Sequence, residues 1–563
     1  MKIKLVGFYD GLYSIGLRRL SSYTKQFYED TELYLYNVHG FTNFLKAYFF
    51  PIKEENYINP DLLSQMADAD VVGVSSMSNY APLVTKFIEE VRKINPSCYI
   101  VWGGSHPIMD PETCVSVADA ICVGEGEEAF IELLDHLGKK ETKEIEELPG
   151  FWFRKGKEII KNPYRELISG EVLSQMPFQD FSEDIFYVDQ RTLCRLNNDN
   201  YLSKQGTNYM SLWSLGCPFR CSYCGNEKFL ENDKKYARLR YPTPEFFVAE
   251  LKYVLNKYDF IGLIEILDDN FFLIKDEDLS RFAELYKKEI GLPFYVPGIF
   301  PGTIRNESIL DQLIDAGLSR VRMGIQSGSK KTLEFFVRPT SKKKIVDTAN
   351  ILISRVPKIA PPEFDLIMDI PFEKDEDKQE TMSMLDSFKG PFIPLIYSLR
   401  TTPGTGMRRY AEEHPELGLL KMEEGYRLTF DKKYALQLYQ YGIGKPSTFE
   451  KWLVKAVEKH PRILSATLNI TILLWLARRL YHDLRGGNWA TIGGVVPGLP
   501  LLLYKLKVLQ LVIPKRKSLE TLDLLNPQNR TLVTTSVDKI DHENSQLDFK
   551  KRQQREKIPV SIN

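Results

Sequence analysis

The chain contains the stretch Leu215-Gly-Cys-Pro-Phe-Arg-Cys-Ser-Tyr-Cys-Gly225, in which Cys217, Cys221 and Cys224 follow the spacing C-x3-C-x2-C. Three thiolates can hold a cubane iron–sulfur cluster and leave one iron without a protein ligand, whereas a fourth would close the cluster for electron transfer. An open coordination position is what a catalytic metal centre requires. A zinc site is disfavoured, because it would need four N/S ligands and the next histidine is His414.

The cysteine triplet resembles the signature of the radical S-adenosylmethionine enzymes. Tyr223 before the last cysteine and Gly225-Asn226 after it fit the same pattern. The resemblance implies that the three cysteines bind a [4Fe–4S] cluster whose open iron chelates S-adenosylmethionine. In this family, electron transfer from the cluster breaks a C–S bond and yields a 5′-deoxyadenosyl radical.

The composition is that of an ordinary globular protein. The 563 residues predict roughly two to four domains, with 43% apolar and 26% charged residues. A net charge of −1 gives no basic field that would favour nucleic acid as a partner. The amino-terminal residues 1–8 form a strand pattern and not a signal peptide. Scattered cysteines indicate reduced thiols in a cytoplasmic protein: Cys98, Cys114, Cys122 and Cys194.

Residues 1–140 alternate short apolar runs with helical patterns. Strands are predicted at 3–8, 33–38, 71–75, 99–103 and 120–123, and helices at 14–26, 81–94 and 126–137. This alternation predicts a doubly wound α/β domain of the Rossmann or flavodoxin type, which binds ligands at the carboxyl ends of its strands. The predicted strand ends carry Ser75-Ser-Met77, Gly103-Gly-Ser-His-Pro107 and Gly124-Glu-Gly-Glu127.

The order of these loops resembles the cobalamin-binding domain that precedes many radical S-adenosylmethionine domains. The resemblance implies that Ser75 and Met77 flank the nucleotide tail of cobalamin, with the glycine loops against it: Gly103, Gly104, Gly124 and Gly126. The D-x-H-x-x-G loop that supplies a cobalt ligand in the mutases is absent from residues 9–13. His106 and His39 are read as loop histidines that form hydrogen bonds rather than as cobalt ligands.

Residues 141–205 are predicted to connect two domains and include a hairpin over 151–160. Residues 206–410 repeat a strand-then-helix pattern. Strands are predicted at 210–214, 262–267, 294–298, 320–324, 364–370 and 393–399, and helices at 244–257, 276–289, 307–316, 330–336, 342–355 and 376–387. About six such units predict a partial TIM-type (β/α)6 barrel, with functional groups at the strand carboxyl ends.

Two strand ends of the predicted barrel carry acidic or polar side chains. Asp268 and Asp269 follow the second strand, where the resemblance places a contact to the amino group of S-adenosylmethionine. For one of the two, a helix N-cap or a turn is an equally good interpretation. Gln326 and Ser327 follow the fourth strand in a glycine-flanked loop and suit a ribose or carboxylate contact.

The fifth strand ends in Asp369-Ile-Pro-Phe-Glu373, which resembles the family segment I-x-G-x-P-x-E beside the adenine. Asp369 occupies the position of the expected glycine, and Glu373 is the candidate contact to S-adenosylmethionine. Arg338 also fits the family, although a surface ion pair explains an arginine there equally well.

Within residues 411–525, the sequence pattern predicts helices at 448–458 and 463–484. The same region contains apolar runs at 470–476 and 495–504. Neither run reaches the ~18 apolar residues of a membrane span. One interpretation is a helical cap that closes the barrel mouth; the other is an interfacial amphipathic segment. Residues 526–563 are highly charged and predict a disordered tail.

These resemblances imply a radical S-adenosylmethionine enzyme that uses cobalamin to methylate an unactivated carbon, with no catalytic side chain beyond the cluster ligands. A radical oxidative cyclisation or rearrangement on the same scaffold is the alternative, and a non-catalytic cobalamin sensor is the rival outside enzymology. The implied partners are a small hydrophobic molecule as substrate and an external electron donor such as flavodoxin or ferredoxin. A cytoplasmic location is expected, with peripheral membrane contact through the carboxyl-terminal region.

Overall fold

The structure is a computed structural model with two parallel-sheet domains followed by helices. It describes residues 1–9, 11–12, 14–38, 58–139, 145–420, 431–441, 447–485 and 498–513. His39 and the predicted tail at 526–563 lie outside the described residues.

The first sheet has nine strands in the order β7-β6-β5-β4-β3-β1-β2-β8-β9. Its parallel centre, β5-β4-β3-β1-β2, has the strand order of the flavodoxin-like fold and confirms the predicted doubly wound domain. The strands are β1 Ile3–Tyr9, β2 Thr31–Asn37, β3 Val71–Ser76, β4 Tyr99–Gly103, β5 Ala120–Cys122, β6 Phe151–Lys155, β7 Glu158–Lys161, β8 Ile185–Val188 and β9 Leu193–Arg195. The α-helices are Ile15–Lys25, Pro60–Gln65, Ala81–Ile94, Ser105–Met109, Pro111–Val115, Glu127–Lys139, Gly170–Leu173 and Asn198–Gln205.

The central strands are buried on both faces, which explains their nearly continuous apolar sequences. Helix Ala81–Ile94 buries Val84, Ile88 and Val91, which are three or four residues apart and share one face. The ring of Phe87 on the same helix lies 5.3 Å from that of Phe8 in β1. Helix and sheet therefore enclose one core.

The predicted hairpin forms, and it joins the first sheet. β6 pairs antiparallel with β5, and β7 pairs antiparallel with β6. On the other side, β8 pairs parallel with β2 and β9 pairs antiparallel with β8. Both edges of the amino-terminal sheet are thus extended by strands from residues 151–195.

The second sheet contains six parallel strands in chain order, which confirms the predicted open partial barrel. The strands are β10 Asn208–Ser211, β11 Leu263–Ile266, β12 Phe294–Ile299, β13 Leu318–Gln326, β14 Glu363–Met368 and β15 Ile393–Ser398. The α-helices are Asn226–Asn232, Pro244–Lys257, Asp276–Glu289, Glu307–Ala316, Lys330–Phe335, Lys342–Ile353, Asp375–Asp386 and Gly406–Glu413.

The carboxyl-terminal region is helical, as predicted, but it does not simply close the barrel mouth. Its α-helices are Lys432–Tyr439, Thr448–Lys459, Leu464–Arg485, Leu499–Lys505 and Leu509–Val512. Arg479 Nη2 donates to Glu363 Oε1 at 3.1 Å. Because Glu363 is the first residue of β14, the long helix reaches the end of the barrel opposite the cysteine loop. The buried Glu363 carboxylate requires cations at that end.

Among the described residues, one helix is long and apolar enough to cross a membrane by length and composition alone. It spans Pro461–His482 with a mean hydropathy of 1.4. The sequence predicted no membrane span because that prediction required an uninterrupted apolar run. The mean hydropathy is an average and remains high although the helix contains the polar residues Ser465 and Asn469. A single helix of this kind is weak evidence for a span.

Candidate active site

The cysteine loop follows β10 and is fixed by backbone contacts to two neighbouring segments. Cys217 N donates to Tyr236 O at 3.1 Å, and Ser222 N donates to Phe336 O at 3.0 Å. Gly216 has φ +114°, and a Cβ there would lie 2.7 Å from Arg238 O. The glycine before Cys217 is therefore required both by its backbone conformation and by the close approach of residues 236–238.

The three sulfur atoms lie in a mostly buried environment. Cys217 and Cys221 are buried, and Cys224 is half-buried. Burial raises the pKa of Cys217 and of Cys224 to about 12. Asn270 Nδ2 donates to Cys217 Sγ at 3.1 Å, while Asn270 Oδ1 is buried without a partner in the described chain. Thiolates at these positions need a positively charged metal centre to stabilise them.

Arg338 is buried beside the cysteine loop and does not form the surface ion pair considered from sequence. Its Nη1 lies 3.5 Å from Cys221 Sγ and donates to Tyr223 OH at 2.9 Å, and its Nη2 donates to Gly324 O. Its Cζ lies 4.2 Å from the centre of the Phe300 ring. A permanent cation therefore contacts one of the three sulfur ligands.

The two aspartates after β11 have different positions. Asp268 is buried; its carboxylate accepts from Trp213 N at 2.7 Å, from Ser214 N at 3.0 Å and from Ser214 Oγ at 2.6 Å. Asp268 therefore holds the start of the cysteine loop, as the turn interpretation allowed for one of the pair. Asp269 is exposed, and its charge is close enough to contribute to the raised pKa of Cys217. The Asp269 side chain is hydrogen-bonded to Asn226, which follows the cysteine triplet.

Gln326 ends β13 with φ +73°, a left-handed conformation that is uncommon outside glycine. Its side-chain amide has no hydrogen-bond partner among the described residues. Ser327 Oγ, in contrast, donates to Glu373 Oε1 at 3.2 Å, and Thr332 Oγ1 donates to the same oxygen at 3.0 Å. Ser327 and Glu373 thus contact each other and link the ends of β13 and β14.

Asp369 replaces the glycine of the family segment and takes a glycine-like backbone conformation. Its φ is +60°, which aspartate tolerates better than most residues. The carboxylate accepts from Ser398 Oγ and, at 3.1 Å, from Asp431 N. The backbone path of the segment is therefore kept, and the side chain ties β14 to β15 and to the carboxyl-terminal region.

A polar group on the inner wall of the barrel was missed by sequence reasoning. Arg322 Nε donates to both carboxylate oxygens of Asp365, at 2.7 and 2.9 Å, and its Cζ lies 5.5 Å from the ring centre of Tyr397. Within the described chain the two Nη nitrogens of Arg322 have no hydrogen-bond partner. The sequence signal was a pair of arginines, Arg320 and Arg322, at alternate positions of an otherwise apolar strand.

A cavity of about 450 Å³ lies at the carboxyl ends of β3, β4 and β5. It is lined by Ser75, Gly103, Gly104, Gly124 and Gly126 from the first domain, and by Leu215, Phe229 and Tyr236 from the cysteine-loop side. A Cβ at Gly124 would meet no atom within 4 Å, so the backbone there faces open space. The predicted loops therefore converge on one cavity.

Two residues considered from sequence lie outside this cavity lining. Met77 is exposed and is absent from the wall. His106 is buried; its Nδ1 lies 3.1 Å from Ser78 Oγ and its ring packs 5.4 Å from that of Trp102. His106 forms the expected hydrogen bond, but it lies in the helix Ser105–Met109 and not in the predicted loop.

Family models match both domains. The radical SAM superfamily model matches residues 212–385, and the B12 binding domain model matches residues 56–134. The chain contains a radical SAM domain and a B12-binding domain. The radical SAM match begins just before the cysteine loop, and the B12-binding match covers the loops that line the cavity.

Curated relatives of this radical SAM protein include methyltransferases and a cyclase. An uncharacterized methyltransferase of Pyrococcus horikoshii is 26% identical over 50% of this chain and 56% of that protein. Bacteriochlorophyllide d C-8(2)-methyltransferase of Chlorobaculum tepidum is 22% identical over 78% of this chain and 91% of that protein. Anaerobic magnesium-protoporphyrin IX monomethyl ester cyclase of Synechocystis is 25% identical over 48% and 50%. The chain thus spans about half the length of two of these three.

Solved structures share the fold. The methyltransferase TsrM from Kitasatospora setae, with cobalamin and a [4Fe-4S] cluster bound, has a TM-score of 0.56 and 16% identity over 73% of this chain and 75% of that one. The cobalamin-dependent enzyme OxsB has a TM-score of 0.57 and 14% identity, over 100% of this chain and 82% of that one. At these identities the likeness concerns architecture.

The residues present in the radical SAM protein fit the cofactors that its two domains imply: a [4Fe–4S] cluster, S-adenosylmethionine and cobalamin. No three His, Cys, Asp or Glu side chains of the described chain converge on a position for one metal ion. The fit of the cluster rests on Asn270 Nδ2 and Arg338 Nη1, which lie 3.1 and 3.5 Å from the sulfur atoms of Cys217 and Cys221 and suit thiolate ligands. The exposed glycine backbones of the cavity are the kind of surface that a bulky cofactor approaches.

We predict that Gly103→Leu removes cobalamin binding from the radical SAM protein without disrupting its fold. A Cβ at Gly103 would lie 3.7 Å from Cys122 Cβ, an ordinary contact, so the remaining atoms of the leucine would occupy the cavity. Bound cobalamin, measured by absorbance after anaerobic reconstitution, should fall at least about tenfold. Gly103→Ala is the matched control and should retain most binding. Equal cobalamin content in all three proteins would contradict this location of the site.

Proposed function

We propose that this protein is a cobalamin-dependent methyltransferase that acts on an unactivated carbon. The observation that carries the proposal is the shared cavity wall: Ser75 and Gly104 of the B12-binding domain line the same cavity as Leu215, two residues before Cys217. The two cofactor sites therefore lie beside each other. When bound, the cluster with S-adenosylmethionine supplies a hydrogen-abstracting radical, and methylcobalamin supplies the methyl group.

In this proposal the cluster is held by Cys217, Cys221 and Cys224, with Asn270 and Arg338 directed at their sulfur atoms. Asp269 and Gln326 are the proposed direct contacts to S-adenosylmethionine: the Gln326 amide has no partner among the described residues, and Asp269 is hydrogen-bonded to Asn226, next to the cysteine triplet. Asp268, Ser327 and Glu373 shape the same wall through the hydrogen bonds described above. A buried, fixed set of polar groups of this kind positions reactants and excludes water.

For cobalamin, we propose Ser75, Gly103, Gly104, Gly124 and Gly126 as the contacting residues. Tyr9 OH lies 2.6 Å from Ser75 Oγ, so the hydroxyl of Ser75 is oriented before any ligand arrives. Met77, which lies outside the wall, is proposed only as a residue at the rim. The substrate is proposed to be a small molecule held near Arg322, Asp365 and Tyr397 on the inner wall of the barrel.

The alternative is a radical ring closure or rearrangement on the same scaffold. The match to the anaerobic cyclase of Synechocystis, at 25% identity, supports this alternative. The same site would then bind the same cofactors, but no methyl group would appear in the product. A flavodoxin or ferredoxin is proposed as the electron donor in either case, and the protein is proposed to act on the cytoplasmic side of the cell.

The deciding experiment is anaerobic reconstitution with iron, sulfide, cobalamin and methyl-labelled S-adenosylmethionine, followed by incubation with metabolite and lipid extracts. Methyl transfer predicts label in a new product together with 5′-deoxyadenosine and S-adenosylhomocysteine. A rearranged product without label would support ring closure. A reconstituted protein that binds cobalamin yet never cleaves S-adenosylmethionine would support the sensor hypothesis.

A further inference from the structure

The helices Thr448–Lys459 and Leu464–Arg485, with the turn between them, expose several large apolar side chains. We call this set the outer apolar face; its members are 40–58% exposed and are Phe449, Trp452, Ile463, Ile470, Leu473 and Tyr481. The rings of Phe449 and Trp452 stack with centres 6.0 Å apart. Single exposed apolar residues are common on soluble proteins, but a set gathered on two adjacent helices calls for a covering partner.

The spacing along the longer helix shows that this exposure belongs to one side. Ile470 and Tyr481 are eleven residues apart, close to three turns at ~3.6 residues per turn, and Leu473 lies three residues from Ile470 on the same side. Residues 463–477 contain no charged side chain, a length of about 22 Å at ~1.5 Å per residue. The solvent-facing side of a typical surface helix is charged, so this side is unusual.

The opposite side of the same helix is anchored to its own domain. Thr471, Ile472 and Trp475 are buried, and Arg479 bonds to the buried Glu363 carboxylate. A helix that is packed against its own domain on one side can contact a lipid surface only through its exposed side. Its apolar length therefore fits a helix that lies along a surface better than one that crosses a bilayer.

Basic side chains accompany the outer apolar face. Lys451, Lys455, Lys459 and Arg462 are exposed, and none of them forms an ion pair with a described residue. The nearby acid, Glu450, is buried and is held by Arg478 and by Ser447, whose Oγ donates to it at 2.6 Å. Among the side chains that the structure describes on this helix, the exposed charge around Phe449 and Trp452 is therefore positive.

From this combination we propose that the outer apolar face docks this protein on an anionic phospholipid surface. Aromatic and aliphatic side chains enter the headgroup boundary, and the flanking lysines and Arg462 meet lipid phosphates. A second copy of the chain would bring the same positive charges together, which opposes self-association. The proposal concerns location and does not depend on methyl transfer.

The test is flotation of the full-length, cluster-loaded protein with vesicles of phosphatidylcholine alone or mixed with phosphatidylglycerol. We expect binding to the mixed vesicles that weakens as salt is added. The variant W452S/I470S/L473S should lose at least about tenfold in vesicle partition, since burial of apolar area supplies much of the binding. K451Q/K455Q/K459Q should reduce binding to mixed vesicles and weaken its salt dependence, with Arg462 left as the remaining contact to phosphate. Phe27→Ser, which changes an exposed phenylalanine of the first domain, is the matched control and should bind like the parent.

Cleavage of S-adenosylmethionine by each variant reports folding and is expected to be unchanged, because none of these residues contacts the site. Absence of vesicle binding by the parent protein would overturn the proposal. Equal binding to both vesicle types would also overturn it. If light scattering shows that the parent is an oligomer and the triple serine variant a monomer, the outer apolar face is an interface with a second copy and the proposal is likewise overturned. A parent protein that floats with the mixed vesicles but transfers no methyl group would count against the proposed reaction alone.

Discussion

Cys221→Ala should reduce S-adenosylmethionine cleavage to background. Cys221 is buried and its sulfur lies 3.5 Å from Arg338 Nη1, so no water or neighbouring thiol can replace it as a ligand. The three cysteines are the complete predicted set of protein ligands, and a cluster with two ligands loses iron readily. Iron content and 5′-deoxyadenosine release after anaerobic reconstitution measure the effect, and we expect a loss of at least ~10³-fold in the rate, about 4 kcal/mol in the barrier.

Cys194→Ala is the control for this substitution. Cys194 is half-buried in the first sheet and accepts a hydrogen bond from Asn200 Nδ2 at 3.2 Å, remote from the triplet in sequence and in sheet. It should keep its cluster and full cleavage activity. A Cys221→Ala protein that retained both the iron and the cleavage reaction would rule out the assigned role of the triplet.

Glu363→Ala is expected to cause the largest loss of stability. Glu363 is buried at the start of β14 and accepts from Arg320, from Arg479 at 3.1 Å and from Tyr295 OH at 2.7 Å. Burial opposes ionisation, but the two guanidinium groups and Tyr295 outweigh it and lower the pKa of Glu363 to about 2. Removal of the carboxylate leaves the buried Arg320 and the half-buried Arg479 without their shared partner, which costs about 3–5 kcal/mol.

Thermal denaturation of the cluster-loaded protein, followed by circular dichroism, checks this expectation. Glu363→Gln should cost less than the alanine, since the amide still accepts a hydrogen bond. Glu334→Ala removes a carboxylate from the exposed pair with Lys330 and should change stability by less than about 1 kcal/mol. Because the folded pKa of Glu363 is depressed, its contribution is present above the unfolded pKa near 4.5 and is lost as pH falls through about 2. Equal melting of the Glu363→Ala and Glu334→Ala proteins would contradict the network's role.

The sequence predicted the strands well because their signal is local. Each central strand is a short apolar run bounded by turn residues, and β4 and helix Ala81–Ile94 have the predicted bounds. Sheet membership is not local. Nothing in residues 151–161 specifies that β6 pairs with β5, since strand pairing is decided by which edge remains open in the folded domain.

The candidate site likewise contains some features that the local sequence predicts and others that depend on the folded structure. The cysteine spacing is a local pattern and predicted the loop, whereas the distinction between Asp268 and Asp269 depends on where the end of β10 lies. Arg338 was ambiguous because burial of an arginine cannot be read from its neighbours in sequence. The Arg322–Asp365 pair joins adjacent strands 43 residues apart and is visible only once β13 and β14 are paired.

The nine-stranded sheet also sets an order for folding during synthesis. Its amino-terminal half is translated first, but β8, which covers the open side of β2, ends at Val188, and β9 ends at Arg195. Until the ribosome has released that part of the chain, the edge of β2 presents unpaired backbone groups, the feature by which nascent sheets aggregate, whereas β5 is covered earlier by β6. The first domain can therefore become a closed unit only shortly before β10 and the cysteine loop emerge, whereas the barrel is complete only after β15, which ends at Ser398.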